Sequence, residues 1–586
     1  MAVHCATLMT VLNRITIALL LAPCMMGHAA APLELESDKG MVVTSQHLAS
    51  EVGAAILRQG GNAIDAAVAV GYALAVTHPC CGNLGGGGFM TIHFADGRST
   101  FINFRERAPL AARADMFLDA SGKVVSNRSL NGYLAVGVPG TVMGLETARQ
   151  KYGTLPRATL IAPAIKLAEE GFVLTRGDVD VLAEGTKDFR ASPNVAAIFL
   201  NHGEPFAPGD RLTQKDLAAT LRAISSGGAD AFYHGAIPAA VSAASRAHGG
   251  LLTDQDFAAY TVTESAPISC SYRGYTIISA PPPSSGGITL CEMLQVLQGY
   301  PLKAMGFHSS SAVHVMTEAM RHAYRDRNTY LGDPAFVDNP TARLLSAQYA
   351  ESIRAQIQPD RATPSSALQG LAPADEHATT THYSVVDHSG NAVSATYTIN
   401  DSFGAKVIAG NTGFLLNDEM DDFTAKPGVP NVFGLVQGKA NAVAPGKRPL
   451  SSMTPTLAFK DGKLVLVVGT PGGSRIITTV LEVIVNFIDH GMTLQEAIDA
   501  PRIHHQWLPD AIGVEPFALS ADTVETLSAM GYKVVPMESW GSGNAVEAIG
   551  IAPADAAAAK ALGFPRPAVL YGANDSRAPA GSAAAP

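Results

Sequence analysis

The chain has 586 residues, 47% of them hydrophobic and 16% charged, an apolar share at the globular average, too high for a wholly disordered polypeptide, with too little charge for a coiled coil. Its 41 Lys and Arg against 51 Asp and Glu give a net charge of −10, and without a long basic run a phosphate backbone finds no electrostatic hold, so no nucleic-acid partner is expected. At roughly 150 residues per domain the length allows three or four domains or two halves merged around one core, and the 56 Gly and 36 Pro fit a turn-rich α/β enzyme.

Residues 1–31 carry one firm positive charge, Arg14, then the apolar stretch Ile15 to Ala22, then the small residues Gly27, Ala29, Ala30 and Ala31. That order predicts a signal peptide cut near Ala29 to Ala31 and export, most simply to the periplasm. Pro23, Gly27 and His28 break the run before the ~20 apolar residues a membrane span needs, and no later segment is long enough, so no span is expected in the mature protein. Cys5 and Cys24 would leave with the signal, and the remaining four cysteines allow three pairings that sequence does not choose between. Adjacent Cys80 and Cys81 would close a strained ring, and no C-x-x-C spacing or His partner points to metal. All four read as packing or optional disulfides.

From His47 to Val76, Ala, Val, Leu and Ile recur at helical spacing around Gly60-Gly61-Asn62, which predicts two helices packed through small residues. Gly85 to Gly88 precede Phe89-Met90-Thr91-Ile92-His93; lacking a Gly-Lys-Ser/Thr ending or a G-x-G-x-x-G that opens a helix, this run is read as close packing at a strand entrance rather than a phosphate cradle. Residues 135–265 alternate helical stretches with polar loops, Pro281 to Gly287 make a rigid turn, and Ser309 to Tyr330 read as a helix. Residues 356–378, rich in Pro, Ser, Gly, Ala and Asp, are expected to be an exposed, poorly ordered linker.

After that linker, Thr379 to Val386 and Asn391 to Thr398 flank Asp387-His388-Ser389-Gly390, the pattern of a β-hairpin. With His388 and Ser389 as its loop, facing residue numbers sum to about 777, so Thr398 falls opposite or diagonal to Thr380. Leu464 to Val468 reads as a buried strand that turns through Gly469-Thr470-Pro471-Gly472-Gly473-Ser474-Arg475 into a helix from Ile476 to Ile488. Such a turn leaves backbone N–H groups facing an anion. His504 and His505, side by side near Trp507, diverge and have no nearby carboxylate pattern, so they are not read as metal ligands. The Ala-, Pro-, Gly- and Ser-rich residues from about Arg577 onward are expected to be a disordered tail.

A threonine becomes a nucleophile when a base lies beside it, and the α-amine of the same residue serves once chain cleavage makes that residue N-terminal. With pKa ~7.7 to 8.0, a useful fraction of such an amine is unprotonated at neutral pH. A flexible linker ending at a Thr-rich strand is what that cleavage needs.

Thr380-Thr381-His382-Tyr383-Ser384-Val385-Val386-Asp387, Thr396 to Asn400, Met420-Asp421-Asp422-Phe423, Arg448 to Met453 and Pro471 to Arg475 resemble the bacterial γ-glutamyltranspeptidase family of N-terminal nucleophile hydrolases. Gly60 to Ala69, Gly82 to Met90, Phe104-Arg105-Glu106 and Pro281 to Gly287 extend the likeness over about residues 40 to 575. It implies a four-layer αββα sandwich with two stacked, mainly antiparallel sheets. It also implies a precursor that cuts itself between Thr379 and Thr380 into a large chain, 32–379, and a small chain, 380–586, which stay together as a heterodimer.

Carried over by residue, the resemblance makes Thr380 the nucleophile and general base, Thr398 the partner of its hydroxyl, and Gly472 and Gly473 the oxyanion donors. Arg105 and Ser451 match residues holding a substrate α-carboxylate; Asn400, Glu419, Asp422 and Ser452 match residues around an α-amino group. The implied substrates are small molecules: glutathione and other γ-glutamyl compounds, with water, an amino acid or a dipeptide as acceptor, and no cofactor or metal. Residues 427–442 match a lid loop, with Phe433 where a compared member has tyrosine. Two competing readings are a cephalosporin or glutaryl acylase, in which Asp422 would lack a cationic partner, and a non-catalytic exported amino-acid-binding protein.

Overall fold

A computed structural model of the protein describes residues 34–367, 380–537 and 545–586; the expected signal peptide, Thr379 and the rest of 368–379 lie outside them. Its centre is the hairpin of strands Thr381–Asp387 and Ala392–Thr398, buried along their whole length. Strands of alternating polarity would expose one face; these are covered on both, so nearly any side chain in them must be apolar or hydrogen-bonded.

Two seven-stranded sheets stack. The first runs in the order Ser582–Ala584, Gly40–Thr44, Thr381–Asp387, Ala392–Thr398, Gly87–His93, Ser99–Phe104, Thr263–Ser265. The second runs Leu35–Ser37, Leu570–Asn574, Glu547–Ile551, Lys463–Gly469, Thr456–Lys460, Tyr275–Ser279, Ile268–Tyr272. Every neighbouring pair within them is antiparallel. Helices His47–Arg58 and Ala63–Thr77 cover the outer face of the first sheet, and Gly286–Leu297 and Arg475–Ile488 that of the second. This is the expected αββα sandwich.

Three cores follow from the layering. One joins the first sheet to its helices through Val68, Tyr72, Tyr383 and Tyr397, and another joins the second sheet to its own through Leu290, Leu294, Leu466 and Ile484. Between the sheets lies a smaller apolar patch including Met41, Val43, Val386, Leu457 and Val467. Toward Thr380 that middle layer turns polar. Ser384 Oγ donates to Glu547 O at 2.9 Å, Ser394 Oγ to Val468 O at 3.2 Å, and His382 Nδ1 meets Thr396 Oγ1 at 2.8 Å.

The glycine run does pack closely. A Cβ on Gly86 would sit 1.9 Å from Thr398 O and one on Gly88 2.4 Å from Thr396 O, so only glycine lets this entrance run beside the strand that carries Thr398. Asn62 caps Ala63–Thr77 through a reciprocal bond with Asp65, which is why the second helix starts immediately after Gly60-Gly61.

Two expectations need correction, and the cysteine pairing, left open by the sequence, is decided. The tail from Arg577 is ordered: Arg577 pairs with Glu515 and Asp575, and Ser582–Ala584 adds an edge strand to Val42–Thr44. An edge strand needs only backbone partners, and small side chains suit a site where Ser50 Oγ donates to Ser582 O at 2.7 Å. The linker is mostly exposed through residue 364, but Ser365 is anchored, its N–H donating to Asp510 Oδ2 at 2.7 Å and its hydroxyl to Trp507 O at 2.6 Å. The cysteines are paired as Cys80–Cys81 and Cys270–Cys291. His78 Nε2 lies 3.5 Å from Cys80 Sγ, a neighbour the spacing did not suggest, but with both sulfurs bonded to each other the trio has no thiolate for a metal.

Candidate active site

The hairpin sets the first distance. Thr381 faces Tyr397 and Val386 faces Ala392, while Asp387 N–H donates to Asn391 O at 3.0 Å, so the loop holds three residues, His388 to Gly390, rather than two. Gly390 supplies the positive φ of +92° that such a loop requires. The extra residue shifts the register by one and puts Thr380 directly across from Thr398, with Oγ1 atoms 3.2 Å apart. Thr398 Oγ1 also accepts the Asn400 N–H at 2.8 Å, which orients the hydroxyl. Asn400 holds φ +79°, a left-handed conformation that Asn tolerates better than most residues.

One pocket gathers Arg105, Thr380, Thr398, Asn400, Glu419, Asp422, Phe433, Ser451, Ser452 and Gly473, with Met453 and Ile476. Of the sequence-derived site residues that are described, Gly472 alone does not line it. Gly472 and Gly473 have φ of +134° and +53°, and their carbonyls accept the N–H groups of Arg475 and Ile476 at 3.0 and 3.3 Å. The turn therefore caps the helix Arg475–Ile488 with a conformation that side chains rarely adopt.

Charge in the pocket is concentrated on Arg105. Its Nη1 pairs with Glu419 Oε1 and its Nη2 with Asp422 Oδ2; Nη1 also lies 3.5 Å from Glu106 Oε2, and Nε donates to Pro449 O at 3.2 Å. Burial works against its charge, but Glu419, Asp422 and Glu106 outweigh burial and hold the guanidinium above its ordinary range. Burial pushes Glu419 well up and Glu106 up to about 7, against the pull of Arg105. Residues expected to bind opposite ends of an amino acid thus neutralise one another across the pocket.

Asp422 is further fixed from the loop after it, where Asn431, Gln437 and Asn441 lie. Its backbone carbonyl accepts Gln437 Nε2 at 3.2 Å and Asn441 Nδ2 at 2.6 Å, and Asn431 Nδ2 reaches its Oδ1 at 3.4 Å. Phe433, nearly buried, covers the pocket with its N–H on Asn431 Oδ1 at 3.1 Å. Ser451 Oγ accepts the Met453 N–H at 3.1 Å, and Ser452 Oγ accepts Arg327 Nη2 at 2.8 Å. Arg327, Glu106, Asn431, Gln437 and Asn441 were not singled out by sequence reasoning. Nothing local marks Arg327 among the charged residues of the helix Ser310–Tyr330.

His382 is the nearest imidazole by sequence, yet it offers Thr380 no base. Both ring nitrogens are engaged, by Thr396 and Ser384, and burial pulls its pKa down to about 3. His504 and His505 face separate partners, Thr478 and Gln506 for the first and Asp510 for the second.

Comparison with known proteins matches this architecture. The family model described as Gamma-glutamyltranspeptidase matches residues 49–585. The chain is 57% identical over 551 residues to a glutathione hydrolase proenzyme of Pseudomonas sp. (strain A14), covering 94% of this chain and 95% of that protein. It is 50% identical over 558 residues to the glutathione hydrolase proenzyme of Escherichia coli (strain K12), covering 92% and 95% respectively. Among solved structures, a cephalosporin acylase from Bacillus halodurans superimposes with a TM-score of 0.81 at 27% identity, over 96% of this chain and 99% of that one. With the match running through almost the whole sandwich and every pocket residue, the chain belongs to the γ-glutamyltranspeptidase family.

Proposed function

We propose that this protein is a γ-glutamyltransferase and glutathione hydrolase whose nucleophile is Thr380. The observation that carries the reading is the 3.2 Å approach of the Thr380 and Thr398 hydroxyls in a pocket that also holds one guanidinium and two carboxylates. An amino acid presents one carboxylate and one ammonium. Arg105 is matched with Glu419 and Asp422; a γ-glutamyl group offers each partner a replacement of the right sign, with Ser451 beside the carboxylate and Asn400 and Ser452 completing the shell.

Maturation cuts the chain between Thr379 and Thr380, leaving residues 380–586 as the small chain of a heterodimer with the large one. The new α-amine then takes the Thr380 hydroxyl proton while Oγ1 attacks the γ-carbonyl carbon. The backbone N–H groups of Gly472 and Gly473 receive the oxyanion; one such donor is typically worth ~3 kcal/mol of barrier. Collapse breaks the amide C–N bond, the amine leaves with the proton, and the γ-glutamyl ester remains on Oγ1. Water, or the amine of an amino acid or dipeptide, attacks that ester and returns the proton to Thr380. The chain is exported before this, by the signal at residues 1–31, and works in the periplasm; no helix among the described residues is long and apolar enough to cross a membrane.

The test is release of p-nitroaniline from γ-glutamyl-p-nitroanilide by protein that shows two bands on a denaturing gel, with acceleration by glycylglycine reporting transfer. Turnover of glutaryl-p-nitroanilide without γ-glutamyl turnover would replace this reading with the acylase one.

A further inference from the structure

Arg327 projects from the helix Ser310–Tyr330 and is 1% exposed. Uncharged oxygens hold its guanidinium: Nη2 donates to Ser452 Oγ at 2.8 Å, Nε to Ser285 Oγ at 2.9 Å and Nη1 to Asn328 Oδ1 at 2.8 Å. Among the described residues no carboxylate stands within 4.0 Å of it. A buried cation with only neutral partners carries a large desolvation cost, and burial draws its pKa down to about 10, which still leaves it charged at neutral pH.

Its effect falls on the pocket through Ser452, which lines it beside Ser451 and Arg105. A serine oxygen that already accepts from a guanidinium turns its own proton elsewhere, and the positive charge behind it strengthens that proton as a donor. Such a hydroxyl suits an anion and disfavours an ammonium. An incoming carboxylate needs that help, because Arg105, its first partner, is already crowded by Glu419, Asp422 and Glu106.

We propose that Arg327 is a positioning residue that aims the Ser452 hydroxyl at the substrate α-carboxylate and gives the pocket a second cation for selecting substrates that carry that group. The proposal rests on the γ-glutamyl reading above and sets Arg327, the cation behind Ser452, on the carboxylate side of the pocket.

The test uses two substrates that differ only in the α-carboxylate, γ-glutamyl-p-nitroanilide and 4-aminobutyryl-p-nitroanilide, with the processed enzyme. Arg327→Gln should raise KM for the first by about tenfold to a hundredfold with kcat held within about twofold, while kcat/KM for the second changes by less than about threefold. In a Ser452→Ala background Arg327→Gln should add little, since the two act as one unit. Equal losses on both substrates, or additive losses in the double variant, would overturn the proposal. Should Arg327→Gln fail to mature, Ser452→Ala with Arg327 intact carries the test: a loss confined to the γ-glutamyl substrate supports it, and an equal loss on both overturns it. A wild-type enzyme inactive on the γ-glutamyl anilide would instead overturn the γ-glutamyl reading itself, and the proposal with it.

Discussion

Asp421 and Asp422 are adjacent yet serve opposite walls of the site. Asp422 pairs with Arg105 in the pocket, whereas Asp421 accepts the Ser129 hydroxyl through Oδ1 and the Val432 N–H at 2.9 Å through Oδ2. One short 3-10 turn, Glu419–Asp422, thereby ties the Arg105 ion pair to the segment that carries Val432 and Phe433.

The clamp has a pH signature. Burial raises Asp421 to about 6, with its bonds to Ser129 and Val432 only partly opposing. A carboxyl raised above its unfolded value of ~3.9 binds more protons in the folded state. It is therefore least costly to the fold below pH ~4, and folded stability is lost as pH rises through about 6. Asp421→Asn, which cannot ionise, should lack this component, so wild-type and variant melting temperatures should diverge in the variant's favour between pH 4 and 7. A constant offset across that range would mean that Asp421 does not titrate there.

Thr380→Ala should leave a single intact and inactive polypeptide, whereas Thr380→Ser should still yield two bands, because a serine hydroxyl can take the same part in cleavage and catalysis. Purified Thr380→Ala protein that gives the same two bands would remove this residue from self-processing.

Arg105→Lys keeps a charge but not a planar fork able to serve two carboxylates and the Pro449 carbonyl together. KM for γ-glutamyl-p-nitroanilide should rise at least ~tenfold, the cost of losing one good charged hydrogen bond, and maturation should proceed. An unchanged KM would place the substrate carboxylate elsewhere.

The approach of Thr398 to Thr380 was legible because a hairpin is local: counting residues across one turn brought the two together, and even an error of one in the loop left them neighbours. The segment around Phe433 and the turn Gly472–Gly473 were legible as contiguous motifs. What escaped was assembled from distant chain. Arg327 reaches Ser452 from the helix Ser310–Tyr330, more than a hundred residues earlier in the chain, and no periodicity announces it. The mutual neutralisation of Arg105 with Glu419 and Asp422 depends on charges being desolvated together. The tail was misjudged because composition measures the capacity to form a core, whereas an edge strand borrows its hydrogen bonds from Gly40–Thr44.

Asp422 separates the transpeptidase reading from the acylase one, and the geometry sharpens what its removal should do. γ-Glutamyl and glutaryl groups differ only by the α-ammonium, so the carboxylate that meets that ammonium should account for most of the preference between them. Breaking a charged hydrogen-bonded pair in a closed site costs ~2 to 5 kcal/mol, which corresponds to a loss of roughly thirtyfold to several thousandfold in kcat/KM. Asp422→Asn keeps the size and leaves one oxygen for Arg105, while Glu419 continues to hold the other side of that guanidinium. The pocket should therefore stay assembled, and the loss should fall on the γ-glutamyl substrate. Glutaryl turnover should be equal or better, because no charged group at this position is then left without a cation when a glutaryl carboxylate draws on Arg105. The measurement is the ratio of kcat/KM for γ-glutamyl-p-nitroanilide to that for glutaryl-p-nitroanilide in wild type and variant. If the ratio does not fall, Asp422 holds Arg105 in place without reading the amine, and Glu419, the other carboxylate that lines the pocket, becomes the residue to replace next.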